Sequence, residues 1–292
     1  MKRKDKYRIL IVMSILILAI VNTCLLSFIH TTISYKHMLH KLQTLDVNME
    51  YFRSMEFTED SLAVLLYDDD KKYADRIENI TLSMMVNSYT CTKDGAFKYK
   101  KLSESMLEEI RKTNLYRKLY ERYKIVLSDI RYFPVPEDLK KKYAVSYENS
   151  WGNPRSYGGN RRHEGTDIMA KVNKRGLYPI VSVSDGVVEK KGWLEQGGYR
   201  IGIRSENGAY YYYAHLYSYA PDLEIGDTVL AGQFIGFMGD TGYSKIEGTT
   251  GNFDVHLHFG IYYMEDGEEI SVNPYYILNY LEHNKLSYAF SE

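Results

Sequence analysis

Disulfide-forming residues are nearly missing: the 292 residues include 2 cysteines, Cys24 and Cys91. Cys24 lies inside a long apolar run and Cys91 outside it, which excludes an internally stapled fold. Glycine is absent before Gly95, the single glycine of residues 31–133, so that stretch has few tight turns and reads as helical. A surplus of charge is lacking as well. Lys and Arg number 37 against 38 Asp and Glu, a net charge of -1, which excludes a broad positive field for nucleic acid; no nucleic-acid partner is expected.

Apolar residues, at 45%, supply a real core, and 29 tyrosines against 10 phenylalanines suit exposed sheets and polar clefts. The basic start "MKRKDKYR" (1–8) precedes the uncharged run Ile9 to Ile29. Its 21 residues, at about 1.5 Å each, cover the roughly 30 Å of a hydrocarbon layer. Phe28-Ile29-His30 offers no small-residue cleavage site, and Val21, Asn22 and Thr23 do not suit lipid attachment at Cys24. The expectation is an uncleaved single-pass anchor in the cell membrane, with residues 1–8 cytoplasmic and everything past about residue 30 extracytoplasmic.

Residues 30–133 are expected to be a helical spacer or regulatory region, a candidate docking surface for a protein partner. Met106, Leu107, Ile110, Leu115, Leu119, Tyr123 and Val126 recur at helical spacing over 103–130. "TKDGAF" around Gly95 and "YDDDKKY" (67–73) read as breaks, the acidic triplet as a solvated loop. His30, His37 and His40 read as interfacial or surface residues. Pro134 and Pro136 stop the helical pattern, placing a boundary at 133/134. Beyond it, short β-branched and aromatic runs alternate with Asp-Gly and Asn-Gly turns, marking a sheet-rich domain over 134–292, with "NPYYILNYLEHN" a short terminal helix.

Three stretches of that domain carry candidate chemistry. In "NFDVHLHFGIY" (252–262) strand alternation sends Asp254, His256 and His258 to one face and Phe253, Val255, Leu257, Phe259 and Ile261 to the other. Alone, this is equally a polar sheet face. "RRHEGTDIMA" (161–170) holds His163 and Asp167 four apart, either two metal ligands or a surface turn; Asp167 and Gly165 separate it from the helical H-E-x-x-H pattern. "YYYYAHLYSYA" (210–220) adds His215, with Tyr211 and Tyr213 lining a groove or packing in the core. Five such groups divide into three ligands of a catalytic zinc and two proton-handling helpers.

"HEGTD", "YAHL" and "HLHF", in this order and with "SWGNPRSYGGN", "SDGVV" and "GDTVLAGQFIGFMGDTG", resemble the lysostaphin/LytM-type zinc peptidases over residues 147–275. For the matched residues the resemblance implies a mainly antiparallel, barrel-sandwich-related β domain; with the transmembrane helix and the helical region read above, which lie outside it, the chain is expected to be α+β. It implies one zinc ion per domain held by His163, Asp167 and His258, His256 as catalytic base, and His215 positioning water or stabilising developing charge. It makes Asn153 a wall or turn residue and the substrate peptidoglycan peptides. Two rivals accompany it: a non-catalytic wall-binding or scaffold module on the same fold, and a lipoyl- or biotinyl-type carrier, for which Lys245 is the only nearby lysine.

Overall fold

The computed structural model describes residues 3–46, 49–66 and 73–290. The acidic triplet of "YDDDKKY" lies outside the described residues. Two compact units result, Met1–Asn48 and Met49–Glu292. The first is a helix, α1 (Arg3–Asp46), that extends past both ends of the apolar run. Its stretch Lys4–Lys41 is long and apolar enough to cross a membrane, with a mean hydropathy of 2.8 over an 18-residue window. His37 and His40 sit exposed on it.

The second unit opens with helices α2 (Glu50–Arg53), α3 (Glu59–Leu66) and α4 (Tyr73–Val86). The periodic stretch 103–130 is not one helix but two, α5 (Glu104–Lys112) and α6 (Asn114–Leu127). Thr113 explains the break. Its backbone is extended (φ -69°, ψ 147°), and its hydroxyl accepts the Tyr116 N–H as a new N-cap. The apolar spacing survives the break, because Leu107, Ile110, Leu115, Leu119, Tyr123 and Val126 are all buried. The region is also not wholly helical: Glu56–Phe57 pairs in parallel with Thr90–Cys91.

These helices pack on the sheet rather than standing apart from it. The Phe52 ring meets Tyr123 edge-on at 5.0 Å and Tyr263 of the sheet at 6.0 Å. Arg122, 6% exposed, reaches Glu265 at 3.0 Å. The expected boundary at 133/134 thus marks a change of secondary structure within one compact unit. The helical pattern does end by Pro134 and Pro136, where the chain bends, and Glu137–Asp138 pairs in parallel with Ser287–Tyr288.

Ten strands form the main sheet: β1 (Val145–Tyr147), β2 (Thr166–Ala170), β3 (Pro179–Val181), β4 (Gly186–Leu194), β5 (Gly198–Arg204), β6 (Tyr210–Tyr219), β7 (Thr228–Val229), β8 (Phe234–Met238), β9 (His256–Glu265) and β10 (Glu268–Val272). The order is β7-β4-β5-β6-β9-β2-β1; β8 pairs with β6 and β3, and β10 with β9. All these pairings are antiparallel, and the sheet does not close into a barrel. One face is apolar by the strand period: Ile168, Ile201, Ile203, Tyr211, Tyr213, Leu257, Phe259 and Ile261 are all fully buried. The terminal helix α7 (Tyr275–Leu281) forms where expected.

Candidate metal centre

The opposite face carries the chemistry. β9 lies between β2 and β6, with His258 directly across from Asp167 on one side and Ala214 on the other. His163 arrives just before β2. A hairpin pairing Pro154 with Arg162 and Arg155 with Arg161 turns the chain back, and His163 then exchanges backbone bonds with Gly152 and Asn153. Asn153 therefore supports His163 through its backbone. Gly165 has a steric reason: a Cβ there would stand 2.6 Å from the His258 ring and 2.7 Å from the Phe259 carbonyl.

Three atoms converge. His163 Nε2 lies 2.9 Å from His258 Nδ1 and 3.1 Å from Asp167 Oδ1, and His258 Nδ1 lies 3.0 Å from the same Oδ1. The His163 Nδ1 is 3.1 Å from the Ser150 carbonyl; donating its hydrogen there leaves Nε2 as a bare acceptor. Acceptors packed this closely repel unless a cation or proton lies among them. A triangle of these sides has a circumradius of about 1.7 Å, so a point at zinc-ligand distance, about 2.0–2.1 Å, exists for all three. The groups therefore fit a metal ion, and among the described residues they form the one His, Cys, Asp and Glu cluster with this capacity.

Charge is tuned to match. Burial opposes ionisation of Asp167, but the bonds to His163 and His258 outweigh it and hold the carboxyl well below the usual range. Burial pushes His258 down to about 4, against the pull of Asp167, and keeps its imidazole neutral. Arg155 is a site residue that motif reading misses. Its Nη2 donates to Asp167 Oδ2 at 2.5 Å, so it fixes that carboxylate from behind and leaves Oδ1 facing the centre. Only its position in the hairpin opposite Arg161 brings it there, twelve residues before the carboxylate it holds.

Two more histidines border the centre. His256 Nδ1 donates to the Asp254 carbonyl at 2.7 Å, and its Nε2 stands 3.8 Å from Asp167 Oδ1. The period of two thus brings both His256 and His258 to the same Asp167 Oδ1. Asp254 does not join them, because the strand begins at His256 and the Asp254 carboxylate accepts from Asn173 instead. His215 Nδ1 donates to the Thr241 carbonyl at 2.7 Å, and its ring lies 4.7 Å from that of His256. Burial lowers the pKa of both, most strongly for His215.

His215 owes its place to a backbone irregularity. Tyr199 of β5 faces Leu216 and Ile201 faces Tyr213, so β6 carries one extra residue between them. His215 takes φ +62°, a conformation histidine tolerates better than bulky residues. The bulge breaks the alternation: Tyr211 and Tyr213 are core, while Tyr210, Tyr212, Ala214 and His215 all line the cleft.

With this geometry in view, the likenesses are specific. The profile described as Peptidase family M23 matches residues 161–274. A crystal structure from Ruminococcus gnavus, described as a candidate glycyl-glycine endopeptidase lytM, superimposes with TM-score 0.73 at 40% identity, covering 87% of this chain and 99% of that one. The chain is 43% identical to the L-Ala--D-Glu endopeptidase of Bacillus subtilis over 160 residues, 55% of this chain and 46% of that protein. It is 31% identical to the glycyl-glycine endopeptidase ALE-1 of Staphylococcus capitis over 133 residues, 43% of this chain and 33% of that protein. The chain therefore spans less than half the length of these two curated relatives. The chain belongs to peptidase family M23, and its second unit has the LytM-like fold.

Proposed function

We propose that this protein is a membrane-anchored, zinc-dependent endopeptidase that hydrolyses peptide bonds in peptidoglycan. The observation that carries the reading is the convergence of His163 Nε2, Asp167 Oδ1 and His258 Nδ1 within 3.1 Å beside two neutral histidines. His163, Asp167 and His258 would hold one zinc ion, and Arg155 would keep Asp167 ionised and oriented. Bound there, zinc would supply Lewis acidity at the scissile carbonyl and a water that ionises near neutrality.

The remaining chemistry belongs to the two helpers. His256, tied to the Asp254 carbonyl through Nδ1–H, offers Nε2 as a lone pair; it accepts the proton of the attacking water and returns it to the leaving amine. His215, tied to Thr241 in the same tautomer, also offers a lone pair, which orients that water. Donating to the tetrahedral oxyanion would need a second proton on His215, which burial opposes. The helix α1 would serve as the anchor, with residues 1–8 cytoplasmic and residues 49–292 extracytoplasmic; 49–133 would act as a structural layer of the peptidase.

The test is zinc stoichiometry together with turnover of cross-linked muropeptides. Wild type is expected to hold one zinc and release peptide products. Zinc bound without any cleavage would instead favour a wall-binding scaffold.

A further inference from the structure

The cleft continues past the ligand triad along the open face of the sheet, enclosing about 480 Å³. Because Ile201 and Ile203 point into the core, Arg200 and Gly202 belong to the cleft face of β5. Across the ladders, Gly202 faces Tyr212 on β6 and Lys190 on β4. A Cβ at Gly202 would stand 1.8 Å from the Tyr210 hydroxyl, so this glycine lets a phenol form the floor. Arg161, from the hairpin before His163, lines the same cleft.

The cations here are of two kinds. Arg204 is neutralised by Glu189 through two bonds of 2.6 and 3.0 Å, and Arg162 reaches Glu50 at 2.8 Å. Arg161, Lys190 and Arg200 have no ion pair among the described residues, and Glu164 and Glu269 stay exposed at the rim. Arg200 Nη1 is buried with no hydrogen-bond partner, an arrangement that is costly unless an anion completes it. Tyr212 links this end to the metal ligands: its ring meets His258 edge-on at 5.9 Å, and Arg200 and Arg161 both act electrostatically on its phenol.

The geometry points to a carboxylate-binding subsite in which Arg200 and Arg161, assisted by Lys190, hold a free carboxylate of the peptide substrate. One tyrosine side chain separates subsite and ligands, a span of one or two extended residues at about 3.3–3.6 Å each. The guanidinium fork matches a carboxylate bidentately. The inference rests on the endopeptidase reading and assigns its substrate class: acidic stem peptides, such as an alanyl-glutamyl peptide, rather than glycine bridges, which carry no side-chain carboxylate. Any chain-internal glutamate uses one carboxyl in the backbone and keeps the other free.

The experiment compares two synthetic peptides with full-length, zinc-loaded protein in detergent. One is an alanyl-glutamyl tetrapeptide with its free carboxylate, the other the same peptide with that group converted to a carboxamide. Wild type is expected to prefer the carboxylate peptide in kcat/KM by about ten- to a hundredfold, the usual weight of a charged hydrogen bond. In Arg200→Gln this preference should collapse towards one, in Arg161→Gln it should shrink, and Arg200→Lys should keep an intermediate value. Equal kcat/KM for both peptides in wild type, or an unchanged ratio in Arg200→Gln, overturns the subsite. Calorimetric binding of the same peptides separates the two levels. If wild type cleaves neither peptide but binds the carboxylate form preferentially, and Arg200→Gln loses that preference, the endopeptidase reading fails while the subsite stands. No preference in binding either removes the subsite.

Discussion

Two sets of side chains meet in one cleft but are held by different means. Asp167 and His258 sit opposite each other on adjacent strands, fixed by ladder bonds that fold with the sheet. His163 joins them through the hairpin and the Ser150 carbonyl. His215 and His256 instead lean on the segment 239–254. Thr241 and Asp254 orient their Nδ1 atoms, and Phe253 packs its ring 4.6 Å from His215 and 5.0 Å from His256. That segment is clamped by Asp240, which accepts from Arg175 at 2.5 and 2.8 Å and from the Gly251 N–H at 2.9 Å. The contrast implies that metal binding and proton handling are separable: the ladder specifies one and the clamped loop the other.

The largest effect expected is from His258→Ala or His163→Ala, each losing stoichiometric zinc and all measurable peptide hydrolysis. Metal analysis after dialysis checks this, and either variant retaining one zinc with turnover would sink the ligand assignment. His256→Ala should retain zinc yet lower kcat by about 10²–10⁴, the usual weight of a general base. Zinc loss in that variant would erase the distinction between the two sets. Arg155→Gln is expected to weaken zinc affinity by about 10–100-fold, as for other outer-shell partners, measured by competition with a chelator. Smallest of all, Arg175→Gln should lower kcat by about tenfold or less with zinc affinity unchanged, because it loosens only the loop. A drop in zinc affinity with kcat intact would show that the loop supports the ligands instead.

The sequence made the converging side chains legible because each piece is local. The strand period places His256 and His258 on one face, and the spacing of His163 and Asp167 spans a single turn into β2. The terminal helix and the apolar positions of α5 and α6 were legible for the same reason. What escaped depends on pairings distant in sequence. Arg155 reaches the ligands only because a hairpin registers it against Arg161. Gly165 looked like a helix breaker, yet its reason is the ring of His258, 93 residues on. The capping role of Thr113 hides within an unbroken apolar period, since a cap depends on one residue's φ and ψ. The packing of residues 49–133 onto the sheet was equally invisible, because an amphipathic helix does not say which apolar surface it covers.

The extra residue in β6 also sets how this gene can tolerate insertions and deletions. Losing Ala214, inside the bulge, would restore strict alternation with Tyr213 and Leu216 still facing Ile201 and Tyr199. His215 would then have to give up its positive φ and leave the position that Thr241 orients, while Tyr213 stays in the core. By comparison, a length change in the turn Glu206–Gly208 leaves both ladders in register. A single-codon deletion at the bulge thus displaces His215 without replacing it.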